Sequence, residues 1–292
     1  MILALISLLV FAFISYAICK GIYGINVLDP AFNQQPEMPG FKESQRILML
    51  ANQLGFFLVP AILLHFLTSG DGNPLIRIQP FPNRKVIFHA VVLILSSQLP
   101  INQLLIWNQE IVNSGVFGNS GSAMIEMENQ ANELTAVLIG NGGIMDTFIA
   151  LFIFAFIPAI AEEFFFRGAI QTKFIASFRN AHLGIWITAF VFSFIHMQFL
   201  GFIPRFILGA MLGYAYFWSG SLSLSILLHF LNNALGVILM SQLNTAESAS
   251  QVPASGGISA VLWLIFSTMI SIGALYFIRK ELKGESISTP QY

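Results

Sequence analysis

Gly143–Ile170 reads GIMDTFIALFIFAFIPAIAEEFFFRGAI, and this stretch decides what kind of molecule the chain is. As a helix it would be roughly 42 Å long at 1.5 Å per residue, more than the roughly 30 Å of a bilayer's hydrocarbon core. It is apolar almost throughout, yet it carries Glu162, Glu163 and Arg167 within six residues. An ionisable side chain at mid-span costs about 2.5–3.5 kcal/mol by insertion scales, so three together need a structural or chemical reason.

The rest of the chain has the same character. Only 9% of the 292 residues are charged, 13 Lys and Arg against 14 Asp and Glu, while 56% are hydrophobic. Soluble domains carry about 25% charged residues. So few charges exclude an ordinary soluble protein, a disordered one, and a nucleic-acid binder with a basic face. The fold class expected is all-α, a polytopic transmembrane helical bundle of about eight spans. The candidates are Ile2–Cys19, Ile47–Leu67, Val86–Trp107, Gly143–Ile170, His182–Gln198, Phe202–Trp218, Ser221–Ser241 and Ser259–Ile278. The first has no Lys or Arg before its apolar run and no small-residue cleavage site, so it reads as a span and not as a signal peptide. The chain reads as a single integral membrane domain over 1–292, with a flexible linker at 248–257. One cysteine allows no internal disulfide.

Short-loop Lys and Arg set orientation. Arg77, Arg84 and Lys85 follow span 2; Lys173 and Arg179 follow span 4; Arg279, Lys280 and Lys283 follow span 8. The 108–142 connection has no Lys or Arg and holds Glu110, Glu126, Glu128 and Glu133, with a short interfacial helix expected over Ala123–Ile139. This pattern places both termini in the cytoplasm, in a membrane of bacterial inner-membrane type. Lys20, Lys42 and Arg46 run against it.

Ionisable and amide groups concentrate in spans 4–7. Glu163 and Arg167 are four residues apart and share a helix face, so they can neutralise each other, while Glu162 lies about 100° around the helix and is free for another partner. Pro158 removes the donor that would serve the Phe154 carbonyl and should kink the helix near Glu162, giving it access to cytoplasmic water. His196 follows Phe192 by four residues, and His229 precedes Asn233 by four. A carboxylate with a histidine can deprotonate a water, and neutral His and Asn can donate to a developing oxyanion.

These three motifs, Glu162-Glu163…Arg167, Phe192…His196 and His229…Asn233, resemble those of the CPBP family. That name covers CAAX-type prenyl-protein endopeptidases and bacteriocin-processing or immunity proteins. The likeness extends over about residues 143–240, the motif-bearing core formed by spans 4–7. It implies a glutamate-dependent intramembrane endopeptidase acting on membrane-associated, CAAX-type prenylated substrates. Glu162, His196, His229 and Asn233 would be catalytic, with Glu163 and Arg167 supporting them.

Other readings stay open at this point. A metalloprotease-type zinc site would draw on Glu162, His196 and His229 with an open fourth position. No helix offers two histidines at i,i+4, however, and metal-free or weakly metal-dependent hydrolysis is preferred. Adjacent carboxylates diverge on a helix, which disfavours an aspartic dyad, and Ser193, Ser223 and Ser225 sit in no nucleophile motif. Asn232 is an alternative amide to Asn233. Arg205 reads as structural, or as a partner for a carboxylate or a substrate terminus. Gly209 and Gly213 form a small-residue face suited to close helix packing. A non-catalytic immunity or scaffold protein that binds a membrane-active peptide is the alternative function, and an ion-coupled transporter is disfavoured by the lack of internal repeats.

Overall fold

Backbone groups inside a bilayer can bond only to one another, and long apolar runs meet that demand by coiling into helices. The computed structural model describes residues 2–68, 76–139, 143–243 and 258–284, and among them it contains helices and no strands. We label the helices α1 (Ile2–Tyr23), α2 (Phe41–Thr68), α3 (Arg84–Asn113), α4 (Asn119–Ile139), α5 (Gly143–Phe178), α6 (Ala181–Phe194), α7 (Phe202–Ser219), α8 (Leu222–Leu243) and α9 (Ile258–Gly284). The linker expected at 248–257 lies outside the described residues.

Seven of the described helices are long and apolar enough to cross a membrane, and the all-α polytopic bundle is the fold. The expected fifth span differs. α6 has 14 residues, about 21 Å at 1.5 Å per residue, which is short of the hydrocarbon core. The chain finishes that passage unwound through Ile195–Gln198, with Met197 at φ 55°, and then takes a 3-10 turn at Phe199–Gly201. Irregular backbone at membrane depth is tolerated where it lines a cavity, and His196 lies in this unwound segment.

The bundle has two chemically different ends. At one, Leu222 N–H donates to the Arg77 carbonyl (2.9 Å), Lys85 approaches Glu281 (3.8 Å) and Arg279 lies 5.6 Å from the Trp218 ring. The α5–α6 turn joins the same end, because His182 bonds the Tyr214 hydroxyl (2.7 Å) and Tyr214 packs on Trp218. This gathers Arg77, Arg84, Lys85, Lys173, Arg179, Arg279, Lys280 and Lys283 into a basic end. α1 runs antiparallel to α2, with Cys19 beside Ser44 and Phe11 against Gly55, so the Ile2 end of α1 points the same way.

The opposite end is closed by α4. There Lys42 and Arg46 hold Asp146 (2.7 and 3.0 Å), and Arg46 also donates to the Leu138 carbonyl (2.7 Å). These ion pairs explain how two cations that oppose the orientation rule sit beside a glutamate-rich helix. Asn108, at the end of α3, donates to the Phe199 and Leu200 carbonyls (2.7 and 2.8 Å) and accepts from Ile203 N–H (3.1 Å), which ties the unwound segment to this acidic end.

The apolar core lies between α3, α7, α8 and α9, around Leu93, Leu212, Leu224 and Ile278. Gly209 and Gly213 let α7 approach α6 and α5 closely. A Cβ on Gly213 would stand 2.8 Å from both Gln171 and Ile185. Their carbonyls become acceptors, for Arg167 Nη2 at Gly209 (2.8 Å) and for Gln171 Nε2 at Gly213 (3.0 Å).

Candidate functional site

α5 does not break at Pro158. It stays continuous, and its irregularity appears as two π-wound stretches, Leu151–Phe156 and Phe164–Gln171, on either side of an α-helical Ile157–Glu163. Such turns recur at functional sites because they re-aim side chains. The Phe154 carbonyl, denied a donor by Pro158, receives one from Asn233 Nδ2 at 3.2 Å. One of the expected donors of the site is therefore engaged on the helix that carries Glu162, and its second N–H remains for other use.

Glu163, Arg167 and His229 form a wholly internal cluster. Glu163 Oε1 accepts from Arg167 Nη1 (2.7 Å) and from His229 Nδ1 (2.9 Å), with Glu163 and Arg167 both at 0% exposure. The guanidinium also lies 4.8 Å from the Phe192 ring. The i,i+4 pair expected from the sequence is present, and it reaches across to α8.

Glu162 is 4% exposed and faces α2, α8 and the unwound segment after α6. Gln53 Nε2, from α2, donates to its Oε1 at 2.9 Å, while its Oε2 stands 4.0 Å from His196 Nε2 and 3.8 Å from His229 Nε2. Hydrogen bonding fixes the tautomers. His196 Nδ1 lies 2.7 Å from the Phe192 carbonyl and His229 Nδ1 faces the Glu163 carboxylate, so both must carry hydrogen there. In the neutral rings each Nε2 then presents a lone pair toward Glu162. Acceptors at 3.8–4.0 Å need a donor between them, and the gap suits one water giving its two hydrogens to Glu162 and a histidine.

Two cavities meet at this carboxylate. One, of about 330 Å³, is lined by Glu162, His196, His229, Asn232, Asn233 and Arg205, among others. The other, of about 420 Å³, shares Glu162, His196 and Asn233 and adds Gln53, Thr135 and Gln198. All four residues read from the sequence as catalytic thus border the first cavity, and Glu163 and Arg167 lie behind it. Arg205 is held by the Gln198 carbonyl and side chain (3.1 and 3.2 Å), and Gln198 in turn reaches Glu128 of α4 (3.5 Å). Burial pushes the Glu128 carboxyl up from its ordinary value, against the opposing pull of Arg205 and the Leu200 backbone.

The zinc alternative does not fit these donors. Ligands 2.0–2.2 Å from a tetrahedral zinc sit roughly 3.3–3.5 Å apart, closer than the spacing seen around Glu162 Oε2. Among the described residues no group of three His, Cys, Asp or Glu side chains is placed to hold a metal ion. The metalloprotease reading left open by the sequence thus finds no support in this arrangement.

Gln53 is a site residue that no motif announces. Spans 1–3 read as poor in polar groups, although Asn52-Gln53 interrupts an apolar run and an amide there is a signal. Glu128 belongs to the helix expected at the interface over Ala123–Ile139, with no feature of the sequence pointing it at the site.

Residues 144–235 match the family model described as Rce1-like, type II CAAX prenyl endopeptidase. This covers all three motifs and supports a CAAX-type protease at the family level. A protein of Bacillus subtilis (strain 168), described as uncharacterized protein YpbD, is 32% identical over 81 residues, 26% of this chain and 38% of that protein. The chain thus covers well under half the length of that relative. No solved structure matches the chain.

Proposed function

We propose, on the premise that residues 144–235 form a core of the Rce1-like CAAX endopeptidase family, that this membrane protein hydrolyses peptide bonds with a water activated by Glu162. The observation that carries the reading is the convergence of Glu162, His196, His229 and Asn233 on one cavity, with both Nε2 lone pairs turned toward the carboxylate.

A water between Glu162 and His196 gives a proton to the carboxylate as its oxygen attacks the peptide carbonyl carbon. The oxyanion is met by the free N–H of Asn233, beside which His229 lines the same cavity. Glu163 holds the His229 ring by accepting from its Nδ1. The C–N bond then breaks as Glu162 returns its proton to the leaving amine, and the hydrogen left on the attacking oxygen passes to that amine as well, so a carboxylate and an ammonium result. Arg167 neutralises Glu163, and Gln53 holds the second oxygen of Glu162. The substrates are membrane-associated polypeptides, with the prenylated tail as the class the family description suggests.

The orientation follows from the two ends of the bundle. The basic end faces the cytoplasm, which puts the Ile2 end of α1 and the Gly284 end of α9 on that side of a bacterial inner membrane.

Comparing the termini of membrane peptides in cells carrying the wild type and Glu162→Ala tests the activity. New ends found only with the wild type are expected. Equal ends, or full activity in Glu162→Gln, would refute the mechanism, and peptide binding or protection that survives Glu162→Ala would favour a binder instead.

A further inference from the structure

Both cavities lie on one side of Glu162. On α2 no lining residue lies beyond Gln53, and on α5 none lies beyond Glu162. On α3 the lining residues are Ile101 and Leu105, in the half that leads toward Asn113 and the acidic end. α4 itself supplies Glu128 to one cavity and Thr135 to the other. Toward the basic end the way is shut: Phe166, Arg167, Gln171 and Leu212 are all fully buried.

The charges give this asymmetry a direction. Eight Lys and Arg sit at the basic end, whereas the acidic end has Lys20, Lys42 and Arg46, the last two already bound to Asp146, and Arg205 lies on the cavity wall near Glu128. The positive-inside rule places the basic end in the cytoplasm, so the cavities open away from it. Access to Glu162 from cytoplasmic water, expected from the sequence, is not what the cavities favour. The roof over the cavities contains Glu126, Glu128 and Glu133 and no Lys or Arg. An acidic rim attracts and orients cationic partners.

We propose that the substrate is a polypeptide on the extracytoplasmic face of the membrane, admitted beneath α4 with a basic flank against its glutamates. The substrate class rests on the peptidase reading; the sidedness rests on charge and cavity placement alone.

Single cysteines introduced into a Cys19→Ser background test the sidedness without requiring catalysis. Glu133→Cys and Thr135→Cys on α4, and Arg179→Cys at the α5–α6 turn, are treated with a membrane-impermeant maleimide in intact spheroplasts and in inverted vesicles. The α4 positions should label in spheroplasts and Arg179→Cys only in inverted vesicles. The reverse pattern, or equal labelling from both faces, overturns the proposal. In right-side-out vesicles, an apolar fluorogenic decapeptide with a two-lysine flank should be cleaved about tenfold faster at low salt than its two-glutamate counterpart. Glu126→Lys with Glu133→Lys should erase that preference. Equal rates for the two peptides, or a preference that survives the charge reversal, overturn the basic-flank part. Failure of the wild type to cleave any peptide from either face would refute the peptidase reading and the substrate class with it, while the labelling still decides the side.

Discussion

Replacing Gln53 by Met should separate stability from activity in a way a purely structural residue would not. Met has nearly the same length and shape, and it removes the Nε2 donor that lies 2.9 Å from Glu162 Oε1. A hydrogen bond to a charged group contributes about 1.5–3 kcal/mol. If that contribution steadies Glu162 during proton transfer, its loss lowers kcat about tenfold to a hundredfold, at 1.36 kcal/mol per factor of ten. KM should stay within about twofold, because the peptide is held elsewhere. Stability should change little, because the lost bond to Glu162 and the removal of a buried orphan oppose each other. Gln53 Oε1 is buried without a hydrogen-bond partner, and such an orphan costs about 1–3 kcal/mol that an apolar side chain does not incur. The assay pairs kcat and KM for a cleaved peptide with the melting temperature of the purified protein in detergent. A melting temperature reduced in step with kcat would refute this reasoning, as would an unchanged kcat.

Other changes probe the support of the site. Glu163→Gln strands the Arg167 guanidinium at 0% exposure and weakens the hold on His229. Breaking a buried pair of this kind costs about 3–5 kcal/mol, and chemical denaturation in detergent should show a loss of that size. Gly213→Val should fail differently, because its Cβ would press on Gln171 and Ile185. Overpacking of about 1–3 kcal/mol is expected, and hydrogen exchange should show α5 and α7 opening before the rest of the bundle. Glu128 gives a pH signature. Its folded carboxyl titrates above the ordinary 4.5, so its contribution to stability is full below that value and is lost as pH rises through the raised one. Glu128→Gln should flatten the fall in melting temperature over that window, and an identical slope in the two proteins would count against the burial of this carboxyl.

The membrane class, the helical architecture and the polar residues of spans 4–7 could be read in the sequence because bilayer cost makes each intramembrane charge conspicuous. Glu163–Arg167 was legible for a second reason, since a helix turns i and i+4 onto one face. The sequence could not show that Pro158 would leave α5 continuous, or that Asn233 would supply the donor missing at Phe154, because that donor comes from a helix far along the chain. The short α6 was also hidden. Its apolar run extends past Phe194, and hydropathy does not register where winding stops.

By itself, then, the sequence determined that this chain lives in a bilayer and which few polar side chains it carries there. Local spacing and composition are sufficient for that, since each span answers to the lipid separately. The tertiary structure decided which of those groups meet. It brought Gln53 from a span with no motif onto the Glu162 carboxylate, turned both histidine Nε2 atoms toward it, and put the cavities on the side roofed by α4. These are meetings between helices distant in the chain, fixed by packing and hydrogen-bond satisfaction in three dimensions, and no periodicity along one helix encodes them.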